Sequence, residues 1–596
     1  MLMRIRYLSI LAVALVLLAG SVPLGAAPGD PTPGLAVIKL AGDLSEGPGG
    51  GESLLGSPTE SFKAKLDRIA RARKDKNVKA LYVQIEGLDG SWGKVHELRS
   101  ALAEFRKSGK KAYAYLEDAA TMDYLVAAAC DEVSMPESGL LQLTGVRVEL
   151  SFYKDLLDKV GLQADMMQMG DFKGAGETYT RARISPENRQ QWEAVVDDFW
   201  NLLADSIASS RQQKGLTPQK VKDIINAGPF TAKQALELGL IDRLTYPEAN
   251  QKRLLTENGD KLALLKDYGK EKKESPDLSN PLNLLKLLNP PREGKLSAKP
   301  KIAIIYASGE IVTGKGGMSL LGGNTVGSTT LIEAIRKAEE EPTVKAIVLR
   351  VDSPGGSALA SDLIWNEIVQ CKKPVVASMS DVAASGGYYI SMGARKIFAE
   401  PGTITGSIGV VGGKIVVGGA FERVGINTEV ISRGANSGVM SMTTPFTESE
   451  RKAMRTYMED TYGQFLDKAV AGRNKAGQKF TRASLEKLAG GRIWTGRQAK
   501  ELGLIDELGT LEDAIGAAKE MAGLNRTEEL ELLQLPRSRS FLDSLLDSSG
   551  DASLSLPRQL QPRVPGLSRQ LRAVEGLLRL NGEPVWAIVP YHFDVK

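Results

Sequence analysis

The stretch "GPFTAKQALELGLIDRL", Gly228–Leu244, returns as "RIWTGRQAKELGLIDEL", Arg492–Leu508. Thr231 falls on Thr495, 264 positions later. Other matches keep nearly this offset. "VKALYVQI" from Val78 meets "VKAIVLRV" from Val344 after 266 positions, and "VGLQADMMQMGDFK" from Val160 meets "VGINTEVISRGANS" from Val424 after 264. A near-constant offset over so long a span marks an internal duplication, which decides the fold before any single element does. Two copies of one domain are expected, residues 35–255 and 301–523.

Each copy alternates strands with helices. In the second, "KIAIIYA" and "VKAIVLRVD" are short β-branched runs that read as buried strands. "SALASDLIWNEIVQCK" has amphipathic spacing and reads as a helix; "PVVASMS" is the next strand and "GGYYISMGA" the next helix. Strand, helix, strand with short connections implies parallel pairing and the α/β class. Residues 256–300 read as a linker, because charge runs and prolines fill Lys266–Pro300. Within it "LNLLKLL" reads as a short helix. Residues 524–596 read as a tail, partly disordered, with "PVWAIVPYHF" as an added edge strand.

At 596 residues, 42% hydrophobic and 25% charged, the chain has the ordinary globular mix. A net charge of +4 and 6% aromatics give neither a basic footprint nor a stacking platform for nucleic acid. Two cysteines, Cys130 and Cys371, exclude a disulfide framework and a Cys-rich zinc site; they are two buried thiols or one optional disulfide. Arg4 and Arg6 precede an apolar run from Tyr7 to Leu24, then Gly25, Ala26 and Ala27. Residues 1–27 therefore read as a signal peptide or a retained N-terminal membrane anchor, and both place the rest of the chain outside the cytoplasm.

The copies differ where chemistry belongs. Pro136 matches Pro401, an offset of 265, which sets Ser385 of "SDVAASGGYYI" against Ala120. Conversely Lys173 of "MGDFKGAGETYTR" falls on Ser437. One copy keeps a serine, the other a lysine. A serine hydroxyl is a weak nucleophile and needs a base. The two histidines are poor candidates, since His96 reads as part of a solvated helix face and His592 lies in the tail. A lone lysine is ordinarily solvated. Flanked by Gly170 and Gly174, and lost from the other copy, Lys173 reads instead as the base, made neutral by burial. "VDSPGGSA", Val351–Ala358, ends a strand and opens a helix, so Gly356 is a candidate oxyanion donor beside the N–H of Gly386.

"DSPGG", "SDVAASGGYYI", "PGTITGSIGV" and "TGRQAKELGLIDELG", in this order, resemble the signal peptide peptidase A (protease IV) family in its long, duplicated form. The resemblance implies two tandem crotonase-like, Clp-protease-like domains of repeated ββα units. It implies a serine peptidase with a Ser-Lys dyad, here Ser385 and Lys173, with Ser407 of "TGSIG" holding the lysine amine. It further implies no metal or organic cofactor, a homotetramer, a bacterial inner-membrane tether with the catalytic part on the periplasmic side, and cleaved signal peptides or other short apolar peptides as substrates. Two other readings of such a fold are a non-catalytic peptide-binding scaffold and a crotonase-type enzyme acting on acyl-coenzyme A.

Overall fold

The run "KIAIIYAS", Lys301–Ser308, is buried at every position but the last. A strand apolar on both faces belongs inside a parallel sheet covered by helices, and that is where it lies. In the computed structural model, which describes residues 33–47, 60–259, 261–270, 297–317, 325–536 and 585–588, it pairs in parallel with Val344–Ser353 and Glu531–Leu535. The order across the second copy is Glu531–Leu535, Lys301–Ser308, Val344–Ser353, Val375–Ala384, Lys396–Ala399, Glu507–Leu508, all parallel. The first copy repeats it as Ala263–Leu265, Gly34–Asp43, Val78–Asp89, Lys111–Leu116, Glu132–Met135, Arg243–Leu244. The α/β fold is a tandem duplication, strand for strand. Each copy runs past the end expected for it, at 255 and 523, because one more strand beyond each closes the outer edge of its sheet.

The expected helices form. Ala358–Gln370 starts at Ser357, whose hydroxyl accepts from the N–H of Ala360. Trp92–Lys107 carries His96. Cys130 and Cys371 are buried free thiols. The N-terminal leader, "LNLLKLL" and His592 lie outside the described residues. Among those residues no helix is long and apolar enough to cross a membrane.

A third sheet joins the copies. Gln163–Met169 of the first copy pairs antiparallel with Val410–Val416 of the second, Met169 against Val410. The counterpart of each strand in the other copy, by the same offset, has no regular structure. The two copies thus share one strand pair. The tail segment Val585–Ile588 belongs to this sheet as an interior strand, between Gly355–Ser357 and Val410–Val416. It was expected at an edge; its four residues find unpaired strands on both sides.

Charge also holds the copies together. Arg350, wholly buried in the second copy, pairs with Glu46 and Glu97 of the first, each at 2.6 Å. Ser378 and Ser380 accept its remaining N–H groups. Removing one partner of such a cluster strands the opposite charges in a dry interior. Arg350→Met leaves two buried carboxylates facing each other and is expected to cost about 3–5 kcal/mol. A guanidinium titration followed by fluorescence reads this as a lower midpoint.

Candidate active site

Ser385 ends the strand Val375–Ala384 and precedes the helix Gly386–Ser391. Its φ of 54° and ψ of −111° are sparsely populated for a residue with a Cβ. Its N–H donates to the carbonyl of Gly406 at 2.8 Å, and its own carbonyl accepts from Tyr389. Strand and helix thereby hold a conformation worth about 1–3 kcal/mol of strain. Ala120 occupies the matching corner of the first copy, at the end of Asp118–Ala120 and before Thr121–Ala127.

Lys173 follows the shared strand Gln163–Met169. Its loop lies against the second copy, where Phe172 donates to the carbonyl of Gly490 at 2.9 Å. The approach is close: a Cβ on Gly491, itself at φ +85°, would stand 2.4 Å from the Lys173 Cα. A buried polar frame fixes the other side. Gln191 donates to the carbonyl of Phe172 at 3.2 Å and accepts from the N–H of Ile493 at 3.0 Å. Asn188 donates to Glu177 at 3.0 Å, and Glu177 accepts the N–H of Ser185. All belong to the segment after Lys173 or to the helix Pro186–Ser210.

The two side chains meet. Lys173 Nζ lies 2.6 Å from Ser385 Oγ, 2.9 Å from the Ser407 carbonyl and 3.0 Å from Ser407 Oγ. All three residues are wholly buried. Ser407 also has a positive φ, 52°, and its N–H donates to the Arg492 carbonyl at 2.7 Å. Among the described residues no carboxylate offsets the loss of water around the ammonium, and burial pushes Lys173 well below the ordinary lysine range.

Gly386 is the first residue of its helix, so its N–H has no acceptor within that helix. It packs on the DSPGG turn, where a Cβ on Gly355 would come 2.7 Å from the nitrogen of Gly386. The N–H of Gly355 donates to Ser353 Oγ at 3.2 Å. Gly356, the next residue of this turn, is buried in the strand Gly355–Ser357, opposite Ile311 on one side and Ala587 on the other.

The structure corrects the placement of His96. It is half-buried between the copies against Glu400. Burial pushes its imidazole down to about 4, while burial raises the Glu400 carboxyl to about 8. The carboxylate nearest Ser385 in sequence, Asp381, accepts from Lys94 at 3.0 Å and from the Lys94 backbone at 2.9 Å. Neither group is free to serve the serine. The frame of Glu177, Asn188 and Gln191 was not legible beforehand. The sole signal is a run of polar residues after the lysine, which reads as solvated.

The model of peptidase family S49 matches residues 104–259 and 367–525, one segment in each copy. The chain belongs to peptidase family S49. It is 34% identical over 520 residues to a chloroplastic serine protease SPPA of Arabidopsis thaliana, covering 87% of this chain and 73% of that one. It is 31% identical to a Protease 4 of Salmonella typhi, covering 84% and 78%. Among solved structures, a membrane-bound stomatin-specific protease, 1510-N, bound to a substrate peptide is similar at 21% identity and a TM-score of 0.26, over 42% of this chain and 97% of that one. As a member of S49 the protein is a serine peptidase.

Proposed function

We infer that Ser385 and Lys173 form a Ser-Lys dyad completed across the two copies, and that it cleaves extended apolar peptides. The observation that carries this reading is the 2.6 Å contact between a buried, uncompensated lysine and a buried serine. A neutral amine has two N–H groups and one lone pair. The N–H groups donate to the carbonyl and Oγ of Ser407, which leaves the lone pair for the Ser385 hydroxyl. Lys173 takes that proton as Oγ attacks the peptide carbonyl. Gly356 and Gly386 N–H groups hold the oxyanion. Lys173 then protonates the leaving amine, and water hydrolyses the acyl-enzyme with Lys173 again as base.

Ser407 is a positioning residue. Ser407→Ala removes one of two acceptors and is expected to lower kcat about tenfold, the worth of one hydrogen bond. That acceptor favours the ammonium, so its loss also moves the acid limb of the kcat profile to lower pH. An unchanged pH profile would assign Ser407 a merely structural part.

The cellular setting follows the resemblance: a tether through residues 1–27 at a bacterial inner membrane, a catalytic part on its periplasmic face, cleaved signal peptides as substrates, and a homotetramer. Mass spectrometry of synthetic signal peptides after incubation tests the substrate class. Fragments with wild type and none with Ser385→Ala support it; intact peptides alongside degraded casein contradict it. Light scattering on eluted protein tests the assembly.

A further inference from the structure

Asp352 of "DSPGG" stands three residues before Gly355, and Asp381 of "SDVAASGG" four before Ser385. Both carboxylates meet one cation, Lys94, at 2.8 Å and 3.0 Å. Lys94 comes from the first copy, near the start of the helix Trp92–Lys107. Its backbone N–H also donates to Asp381, at 2.9 Å. Gly93 permits the approach, since a Cβ there would stand 2.7 Å from the Ser380 carbonyl. The three charged side chains are at most 16% exposed. Burial lowers Lys94, but the carboxylates of Asp352, Asp381 and Glu46 outweigh it and hold the amine well above the ordinary lysine range. The first copy thus sends two buried lysines toward the site: Lys173 with a weakened hold on its proton, Lys94 with a strengthened one.

The ion cluster sits where the sheet ladder breaks. Val351 pairs with Met379, yet Ser353 pairs with Ala383, so Asp352 alone faces Ser380, Asp381 and Val382. Such a bulge bends a strand and re-aims the residues beyond it. Asp352 supplies an acceptor that the ladder lacks there, taking the N–H of Val382 at 3.2 Å. Beyond the bulge one strand ends at Ser353, and the helix of Gly386 packs on it: a Cβ on Gly387 would meet the Ser353 carbonyl at 2.6 Å. The other strand ends at Ala384, next to Ser385. In the first copy the matching strands, Val78–Asp89 and Lys111–Leu116, pair without a break, and Ala120 stands in place of the serine. The bulge accompanies the nucleophile.

We propose that Lys94 is a positioning residue for the hydrolysis: by clamping Asp352 to Asp381 it sets the bulge, and with it the placement of Ser385 relative to the DSPGG turn. The proposal rests on the peptidase reading of that site. Lys94 touches no reacting atom. Without its ammonium two carboxylates face each other in a nearly dry interior, and their repulsion opens the bulge. A cation that only joined the copies would govern stability and leave turnover of the folded chain unchanged.

Asp381→Asn is the sharpest test, because Lys94 and Asp352 remain an ion pair. The amide oxygen still accepts the Lys94 backbone N–H, but the amide NH2 faces the ammonium, so the clamp across the bulge is lost. With a quenched peptide, kcat is expected to fall about ten- to a hundredfold at unchanged KM, the effect of a misplacement of about 1 Å. The acid limb of the kcat profile should stay in place, because Lys173 keeps its contacts. A second variant, Lys94→Met with Asp352→Asn and Asp381→Asn, removes all three charges at once and keeps the test open if the single change unfolds the chain; the same fall is expected. Wild-type kcat in either variant, folded by circular dichroism, overturns the positioning role. So does a fall in kcat with a displaced acid limb, which would place the defect at Lys173. If wild type cuts the peptide no faster than Ser385→Ala, the peptidase reading itself fails.

Discussion

Lys173→Met is expected to lower kcat/KM for peptide hydrolysis by about a thousandfold to ten-thousandfold, the worth of a positioned general base. The chain should remain folded. Methionine matches the buried volume of the lysine stem and removes the only polar atom in that side chain. The sign of the stability effect follows from linkage. Burial holds the folded-state value of Lys173 well below 10.5, its ordinary value. Between the two values the unfolded chain binds a proton that the folded chain refuses, so wild-type stability rises with pH across this window. Methionine lifts that cost. The variant's thermal midpoint at pH 7 should equal or exceed the wild-type one, with the gap closing as pH approaches 10.5. An inactive variant with a depressed midpoint would mean that Lys173 mainly holds the loop.

Ser385→Ala is expected to remove more, about ten-thousandfold or beyond, leaving only binding and oxyanion contributions. Alanine keeps the Cβ and the backbone corner, so secondary structure and thermal midpoint should change little. The two groups act as one unit, so their effects will not add. The double variant Lys173→Met, Ser385→Ala should be no less active than Ser385→Ala alone. A double variant slower by the product of both losses would show that the lysine serves some other step. These rates are measured with a chromogenic peptide ester and a quenched peptide in parallel.

Much of this was legible in the sequence because duplication supplies its own reference. The offset between "GLIDRL" and "GLIDEL" predicts two copies of one domain, and six parallel strands of each copy follow the same order, the second sheet adding Ile404–Gly406 and Ile493–Thr495. Offsets of 264 and 265 set Lys173 against Ser437 and Ser385 against Ala120, and the contact between Lys173 and Ser385 joins those two mismatches. Other features escaped because they depend on which surfaces meet. Arg350 lies in an apolar strand, and its partners Glu46 and Glu97 are some 250 to 300 positions away in the other copy. Gln191 and Asn188 share the spacing of a solvated helix face, yet they support the lysine loop from a dry interior. His96 looked solvated because Glu400, which engages it, comes from the second copy. The tail strand escaped for a different reason. An apolar tetrad can pair with any open edge, and the sequence does not say that the open place lies between Gly355–Ser357 and Val410–Val416.

The central claim is that an amine from the first copy activates an alcohol of the second. The most direct measurement is the rate at which a fluorophosphonate modifies Ser385, located by peptide mass spectrometry and followed against pH. The rate should climb with pH through a midpoint well below 10.5, and in Lys173→Met it should fall to the level of an unactivated serine. Modification of Ser385 in Lys173→Met at the wild-type rate, with the same pH dependence, would contradict the account.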